Sequence, residues 1–359
     1  MTNRERIIRT ARCEKADRPP FFFLFGPWGE TLERWRREGL AEGRDWREGF
    51  GFDAGIDVVN VNLGYSPAFD FQELEERENT RVIRDEYGIT MEVNKRGATI
   101  PRYLDYPVKT RADWEALKKR LDPDDPARFP PNWQELAEKY NGGEAAVQIG
   151  TYPYGLFGTP RDMMGVEALL LGFYDQPDLI KDMMDYLTDF WLAVYEKVCR
   201  DVKIDIIHIW EDMSGKAGPL VSPEMTREFM VPNYRKIRAF ADANGIPVFS
   251  LDTDGDCSLL VPPLLEGGVN LLFPFEVAAG CDVNEYRAKF PTLGMMGGFD
   301  KREIAKGPEK IDRELARVEG AMRKGGYIPA LDHLPHPEIS WADFQYFTNA
   351  LRRMAFQQS

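Results

Sequence analysis

The sequence predicts an α/β protein built as a (β/α)8 TIM barrel, with a long insertion after the second strand. Eight short apolar segments, each with the length of a buried strand, recur along the 359 residues. Segments with helical periodicity follow the later strands at the spacing of βα units. A doubly wound sheet is the alternative, but no glycine-rich dinucleotide fingerprint follows any strand. The chain is long enough to form one such barrel.

The chain begins with an amphipathic helix, which we predict to start at Thr2 or Asn3 and to end near Glu14. The run Arg18-Pro19-Pro20 stops this helix, because proline cannot continue a helix and restrains the residue before it. The apolar run that follows is the first predicted strand. The eight predicted strands are Phe21–Phe25, Gly55–Val61, Ala145–Gly150, Ile204–Trp210, Val248–Leu251, Val269–Phe273, Thr292–Met296 and Tyr327–Leu331.

A long excursion, residues 62–143, separates the second and third strands. Within it, Thr80–Asp85 and Gly88–Asn94 alternate in polarity like the two arms of a hairpin. Two helical segments follow, with several prolines between them. No change of composition marks a separate domain. We therefore expect residues 1–359 to form a single barrel domain, with residues 62–143 capping or flanking the barrel.

Helices are predicted between the remaining strands and after the last one. Ser222-Pro223 is typical of a helix start, since serine is a favoured N-cap and proline fits the first helical position. Asn244-Gly245 is typical of a helix end. The predicted helices after the first are one that contains Leu32 and Trp35, then 45–50, 110–120, 132–140, 166–174, 177–200, 222–244, 308–323 and 341–354.

The charge and the cysteines exclude several classes of protein. The 46 Lys and Arg residues against 59 Asp and Glu give a net charge of −13, which opposes binding to nucleic acid or to an anionic membrane. No apolar run approaches the length of a membrane helix. None of the four cysteines forms a CxxC pair, so we expect reduced thiols in a cytoplasmic protein.

Polar side chains accumulate directly after the predicted strands. The carboxyl ends of the strands of a barrel converge on one mouth, which is the usual site of chemistry. The densest group follows strand five in the run Asp252-Thr253-Asp254-Gly255-Asp256, where Asp256 or Ser258 is expected to cap the next helix. The residues predicted at the mouth are Trp28, Glu30, Asn60, Asn62, Tyr152, Tyr154, Trp210, Glu211, Asp212, Asp252, Asp254, Asp256, Glu276, Asp300, Asp332, His333 and His336.

This acidic mouth has two chemical interpretations. Crowded carboxylates raise one another's pKa and can share a proton, which suits acid/base catalysis. They can also hold a hard divalent cation such as magnesium, calcium or manganese, with Asp252, Asp254 and His333 as candidate ligands. His333 follows a strand and can act as acid, base or ligand. His208 lies inside a strand between two isoleucines, so we interpret it as a core histidine.

Several motifs in a fixed order carry a resemblance to a known family. They are RERIIRTARCEKADRPP, FDAGIDVVNVN, IIHIWEDMSGKAGPLVSPEMTREFMVPNY, DTDGD, MGGFDKREIAKG and GGYIPALDH. In this order and spacing they resemble the uroporphyrinogen decarboxylase superfamily, which includes corrinoid-linked methyltransferases. The resemblance covers nearly the whole chain and implies a TIM barrel.

The sequence departs from both branches of that superfamily. The resemblance implies an arginine-rich segment after strand one for tetrapyrrole propionates, but FGPWGETLERW has no arginine before Arg34. The catalytic aspartate of the decarboxylases falls on Asn60, whereas their histidine matches His333. The zinc ligands His-x-Cys of the methyltransferases fall on Asp252-Thr253-Asp254, which replaces softer ligands by oxygen. A divergent third branch is therefore expected.

The resulting hypothesis is an enzyme that acts on a small polar substrate, by corrinoid-linked methyl transfer or by decarboxylation. Authentic uroporphyrinogen decarboxylation in porphyrin biosynthesis and a non-catalytic subunit that holds a corrinoid or tetrapyrrole stay open as alternatives. A divalent metal, a corrinoid protein as partner and a homodimer also stay open. The predicted catalytic residues are Glu211, Asp212, Asp252, Asp254 and His333, and the predicted substrate-binding residues are Trp28, Asn60, Tyr152, Tyr154, Trp210 and Asp300.

Overall fold

The computed structural model describes residues 1–95 and 100–357, and this part of the chain contains a seven-stranded parallel sheet. The strands stand in the sheet in chain order, so that each pairs with the strand that follows it in the barrel wall. This curled sheet, with helices alternating between its strands, confirms the predicted α/β barrel class. The strands of the sheet are β1 (Ile56–Val58), β6 (Ala146–Ile149), β7 (Ile206–Trp210), β10 (Val248–Asp252), β11 (Leu271–Phe275), β12 (Gly294–Phe299) and β13 (Tyr327–Leu331).

Side chains alternate between the inside of the barrel and the surrounding helices, as the pleat of a strand requires. On β10, Val248 packs in the interior cluster, whereas Phe249 and Leu251 belong to the larger core under the helices. Ser250 also faces inward, where its hydroxyl lies 2.6 Å from Nδ1 of His208. Burial lowers the pKa of His208 to about 3, and it is the core histidine that the sequence predicts.

The first predicted strand, Phe21–Phe25, is not a strand. It occupies the eighth position of the wall, because it lines cavities with residues of both β1 and β13. In the described residues, however, it forms no ladder with either strand. Asp53, rather than a neighbouring strand, is the hydrogen-bond partner of Phe21. The Asp53 carboxylate accepts the backbone N–H of Phe21 at 2.8 Å, and the backbone N–H of Asp53 donates to the Phe21 carbonyl at 2.8 Å.

Between β1 and β13 the barrel wall is closed by the packing of phenylalanine rings and not by a ladder of hydrogen bonds. Phe22 packs inside the barrel with residues of several strands. Phe23 points outward, and its ring stacks on Phe347 of the last helix with centroids 5.9 Å apart. The first helix, Asn3–Ala11, covers the opposite end of the barrel from the mouth through Ile7 and Ala11, which join the interior cluster.

The insertion between β1 and β6 contains a four-stranded antiparallel sheet in the order β2-β3-β4-β5. Its central pair confirms the predicted hairpin, but the two outer strands were not predicted. Just after this sheet, the ring of Tyr106 packs against Gly165: a Cβ built on Gly165 would lie 2.6 Å from that ring. The strands are β2 (Gln72–Glu76), β3 (Thr80–Arg84), β4 (Thr90–Asn94) and β5 (Arg102–Asp105), and a two-residue pair β8 (Ser214–Gly215) and β9 (Gly218–Pro219) follows β7.

Most predicted helices are present with shifted ends. The exception is 45–50, which consists of turns. Ser222 caps its helix as predicted, accepting the Met225 N–H at 3.2 Å. No helix of the described residues is long and apolar enough to cross a membrane. The α-helices are α1 (Asn3–Ala11), α2 (Gly29–Arg37), α3 (Arg111–Lys118), α4 (Trp133–Gly142), α5 (Gly158–Met164), α6 (Val166–Asp175), α7 (Pro177–Cys199), α8 (Pro223–Met225), α9 (Val231–Ala243), α10 (Val261–Glu266), α11 (Val283–Lys289), α12 (Lys301–Ile304), α13 (Pro308–Lys324) and α14 (Trp341–Gln357).

Candidate active site at the barrel mouth

Asp252 is the last residue of β10 and stands in register with Trp210, the last residue of β7. Asp252 is 8% exposed, and among the described residues no hydrogen-bond donor reaches its carboxyl oxygens. Burial raises the pKa of Asp252 well above its ordinary value, and the neighbouring carboxylates of Asp254 and Asp212 raise it further. The surroundings of Asp252 therefore favour the protonated form of its carboxyl group.

Asp254 and His333 meet across the mouth. Oδ2 of Asp254 lies 3.9 Å from Nε2 of His333, so these two predicted site residues lie close together. Burial raises the pKa of Asp254 to about 7, and the carboxylates of Asp212 and Glu276 add to the shift. Burial lowers the pKa of His333, whose ring packs against Phe25 with centroids 5.2 Å apart. At neutral pH the pair can therefore exchange a proton with a substrate.

A lysine that the sequence analysis missed lies behind this pair. Nζ of Lys301 lies 3.7 Å from Oε1 of Glu276, and the other oxygen of Glu276 accepts the Gly255 N–H at 3.0 Å. Glu276 thus fixes the turn that follows Asp254. Asp332 is 1% exposed and accepts the backbone N–H groups of Val277 and Lys301, both at 3.3 Å, and burial raises its pKa to about 7.

Arg161 organises the other side of the mouth, and it too was missed. Its guanidinium binds the carboxylate of Asp212 at 2.8 Å and the Asp212 carbonyl at 2.9 Å. The same group lies over the Trp210 ring, 4.6 Å from its centroid, in a cation–π contact. Asp212 has a positive φ of 42°, which turns the chain at this point. Arg161 lies on α5, away from any strand end, so no pattern after a strand identified it.

Glu211, a predicted catalytic residue, is fully buried in a local cap. Its carboxylate accepts the backbone N–H groups of Leu156, Phe157 and Gly158 at 3.0, 2.5 and 3.3 Å. It also accepts the Tyr234 hydroxyl at 2.8 Å. Burial raises its pKa and these hydrogen bonds oppose the rise. The structure therefore places Glu211 as an anchor of the loop before α5, away from the Asp254–His333 pair.

Asp300 likewise serves a helix terminus. Its side chain accepts the Arg302 N–H at 2.9 Å and pairs with the Arg302 guanidinium at 2.6 Å, and it is 4% exposed. These hydrogen bonds and charges hold the pKa of Asp300 below its ordinary value, although burial opposes them. The predicted substrate contact of Asp300 is therefore replaced by a cap of α12. Asp256 accepts the Ser258 N–H at 3.0 Å within its own loop. The prediction that Asp256 or Ser258 caps the next helix is wrong, because α10 begins after Leu260, which makes no side-chain cap hydrogen bond.

The remaining predicted pocket residues have separate local contacts. Asn60 is exposed, and its N–H donates to the Tyr140 hydroxyl at 3.0 Å. Trp28 is 37% exposed, and its backbone N–H donates to the carbonyl of Pro335, which lies in the loop after His333. The Tyr152 ring meets Trp210 edge to face with centroids 4.6 Å apart. Tyr154 lines a separate cavity under the insertion.

Comparisons with known proteins agree with the fold. A model of the family described as uroporphyrinogen decarboxylase (URO-D) matches residues 2–354. The chain belongs to the URO-D family. A methyltransferase from Methanosarcina mazei has a similar structure, with a TM-score of 0.61 and 15% sequence identity over 99% of both chains. At that identity the likeness shows the shared fold. A comparison with curated proteins finds no match.

Within the URO-D fold, the residues at this mouth do not form a metal centre. The described residues contain no group of three or more His, Cys, Asp and Glu side chains arranged to hold a metal ion. Asp254 and His333 are near one another, but Asp252 does not complete a third ligand with them. The proposed metal ligands therefore do not fit a bound ion in this arrangement, and no step is derived through one.

The cations at this URO-D mouth are already paired. Arg161 binds Asp212, and Lys301 lies beside Glu276. Arg34, the first arginine after Phe21–Phe25, pairs with Glu38 at 2.6 Å. A substrate with many carboxylates would therefore meet carboxylates at the mouth rather than free arginines.

Proposed function

We propose that this URO-D family protein is an enzyme that removes a methyl group from a small polar substrate and passes it to a corrinoid held by a partner protein. The observation that supports the proposal best is the Asp254–His333 pair beside the buried Asp252, because burial raises the pKa of both carboxyl groups, to about 7 for Asp254. The match to the URO-D family and the fold shared with a methyltransferase agree with it.

The chemistry needs a proton at the leaving atom. When the bond between a methyl carbon and an oxygen or nitrogen breaks, the electron pair of that bond stays on the oxygen or nitrogen. Protonated Asp254 supplies the proton that neutralises it, and His333 can return a proton to Asp254 from water. A reduced corrinoid, when docked, supplies the electron pair that takes up the methyl group.

The ligand types at the mouth support demethylation of a substrate better than activation of a thiol. A thiolate acceptor is activated by zinc bound to histidine and cysteine. Here Asp252 and Asp254 provide oxygens, and both free cysteines on the neighbouring loops, Cys257 and Cys281, are buried. Proton donation is the way in which carboxyl groups lower a barrier of this kind.

Decarboxylation of a small carboxylate is the second candidate. A carbanion left by loss of carbon dioxide also needs a proton, and Asp254 is a suitable donor for it. The position of His333 after the last strand favours this candidate as well, because the family resemblance implies a histidine there.

The two reactions are separated by one assay. Purified protein is mixed with chemically reduced cobalamin and a panel of small methoxylated, N-methylated and carboxylated compounds, and cobalamin absorbance, demethylated products and carbon dioxide are followed. We expect methylated cobalamin and a demethylated product in equal amounts, with loss of both in Asp254→Asn and His333→Asn. Asp256→Asn is the matched control on the same loop. Release of carbon dioxide without methylated cobalamin would select the second candidate.

A further inference from the structure

All four cysteines are free thiols, and two of them lie together. Cys257, in the loop after β10, is 2% exposed, and Cys281, in the loop after β11, is 1% exposed. The sulfur of Cys257 lies 3.9 Å from the hydroxyl oxygen of Tyr286, and the sulfur of Cys281 lies 3.5 Å from the same oxygen. Two thiols from consecutive loops therefore share one buried hydroxyl group, and the proposed reaction uses neither of them.

Cys281 also holds the turn that follows Asp254. Its S–H donates to the carbonyl of Gly255 at 3.3 Å, and Glu276 accepts the N–H of the same glycine at 3.0 Å. Gly255 is buried and has a positive φ of 72°. Both backbone polar groups of Gly255 are thus bound by residues that follow β11. A change at the Cys281 sulfur therefore acts on the residue next to Asp254.

Two neighbouring thiols can close to a disulfide within one chain. Hydrogen bonding from Cys257 lowers the pKa of the Cys281 thiol, and the same contact, together with burial, raises the pKa of Cys257. Cys281 therefore ionises first, and a thiolate is the form of cysteine that attacks an oxidant. Cys257 supplies the second thiol that completes a disulfide. Because both sulfur atoms are buried, a molecule as small as hydrogen peroxide suits this pair better than a bulky oxidant.

We propose that Cys257 and Cys281 form a redox-sensitive thiol pair, which a hydroperoxide converts to a disulfide and which thereby loosens the turn after Asp254. The Cys281 thiolate attacks one oxygen of the peroxide, the O–O bond breaks, and a sulfenic acid and hydroxide form. The Cys257 sulfur then attacks the Cys281 sulfur, the S–S bond forms, and the S–O bond breaks. The two sulfur atoms lose two electrons, and the peroxide with the two thiol protons leaves as two water molecules.

The disulfide changes the hydrogen bonding of the turn. Cys281 no longer carries a hydrogen to donate, so the buried carbonyl of Gly255 loses its partner. The bonded sulfur atoms lie about 2 Å apart, which draws the loops after β10 and β11 toward one another. Asp254 then leaves its position opposite His333. The resulting loss of activity rests on the proposed function, whereas the disulfide and the loosened turn do not.

Oxidation of a Cys13→Ser/Cys199→Ser variant tests the pair, because Cys257 and Cys281 are then the only cysteines. The folded protein is treated with hydrogen peroxide, and the free thiols are counted after denaturation. We expect both thiols to disappear together and to return with dithiothreitol, and peptide mass spectrometry should find the same Cys257–Cys281 link in the oxidised unaltered protein. Loss of the thiols as sulfinic or sulfonic acids, or as disulfides between chains, would overturn the proposal.

A second measurement separates the thiol pair from the proposed reaction. Deuterium exchange of the amides of residues 253–257 should be faster after oxidation and should return to its first rate on reduction. Cys281→Ser is the matched control, because its hydroxyl can still donate to Gly255 but cannot form a disulfide, so peroxide should leave its exchange unchanged. A disulfide that forms without a change in exchange would contradict the effect on the turn. Exchange that responds in a protein without methyl-transfer activity would contradict only the proposed function.

Discussion

The imidazole Nε2 of His333 lies 3.9 Å from Oδ2 of Asp254, with the two residues held on loops that follow different strands. This distance is too long for a direct hydrogen bond and suits a single bridging water or a substrate atom. The two groups have opposite shifts, since burial raises the pKa of Asp254 and lowers that of His333. Below a pH of about 7 Asp254 is mainly a carboxylic acid, and the lowered pKa of His333 favours the neutral imidazole.

Activity should fall as the pH rises above about 7. The proposed donor is protonated Asp254, whose pKa burial raises to about 7, and each further pH unit removes roughly nine tenths of the active form. Asp254→Asn should lower the rate by about 10²- to 10⁴-fold. Rate measurements from pH 5.5 to 8.5 check this, with Asp256→Asn as the control. A rate that rises steadily over this range would rule out Asp254 as the acid.

Asp252→Asn should stabilise the protein at high pH. Well below the ordinary pKa of an aspartate, the carboxyl is protonated in both the folded and unfolded chains and does not lower the free energy of unfolding. As the pH rises from that value through the raised folded pKa, the unfolded chain ionises more easily, so folding stability is lost. Asparagine avoids this loss. We expect a melting temperature higher by a few degrees at pH 8 and nearly unchanged at pH 4.

Scanning calorimetry at both pH values measures this effect. The exposed Asp175 provides the comparison, because Asp175→Asn should shift the melting temperature little at either pH. An Asp252→Asn variant that is less stable than the unaltered protein at pH 8 would show that the ionised carboxylate is stabilised by the fold.

Removal of the Glu211 carboxylate should destabilise the protein rather than act on chemistry alone. Glu211→Ala leaves three backbone N–H groups and the Tyr234 hydroxyl without their buried acceptor. The cost should be about 3 kcal/mol or more in the free energy of unfolding. Glu211→Gln keeps one acceptor oxygen and should cost less. Urea denaturation measures both variants. A Glu211→Ala variant that is fully stable but inactive would show that Glu211 has a catalytic role.

The protein should not convert uroporphyrinogen to coproporphyrinogen at a useful rate. That substrate carries many carboxylates, whereas the cations near the mouth, Arg161 and Lys301, are already beside carboxylates. Asn60 stands at the position where the family resemblance implies the catalytic aspartate. Chromatography of the porphyrins after anaerobic incubation checks this prediction, with an authentic decarboxylase as the positive control. Clear formation of coproporphyrinogen would contradict it.

The strands that the sequence predicts best are those whose residues are buried on both faces. Tyr327–Leu331 has the predicted ends, because five buried residues follow a Gly-Gly helix stop. The outer strands of the insertion were missed, because Gln72–Glu76 and Arg102–Asp105 are exposed throughout and carry no apolar alternation. Phe21–Phe25 has the apolar composition of a strand, but the backbone N–H and carbonyl of Phe21 are engaged by Asp53 from a later segment.

The site was predictable at the level of the mouth and less so at the level of single residues. Asp254 and His333 were found because both follow strands. Glu211 and Asp300 follow strands too, but each carboxylate is engaged by a helix terminus or loop that only tertiary structure brings near. Arg161 lies on α5, and nothing in that helix's sequence indicates that it borders the mouth.

The wall segment Phe21–Phe25 has a mechanical consequence. This segment stands between β1 and β13 without a ladder to either strand, so apart from the hydrogen bonds of Phe21 with Asp53 it is held by the packing of its aromatic rings. Its amides should exchange with deuterium faster than those of the ladder strands on either side. Because the His333 ring packs against Phe25, a displacement of the segment Phe21–Phe25 would move the imidazole relative to Asp254. A substitution in Phe21–Phe25 should therefore alter proton transfer between Asp254 and His333 without changing either residue.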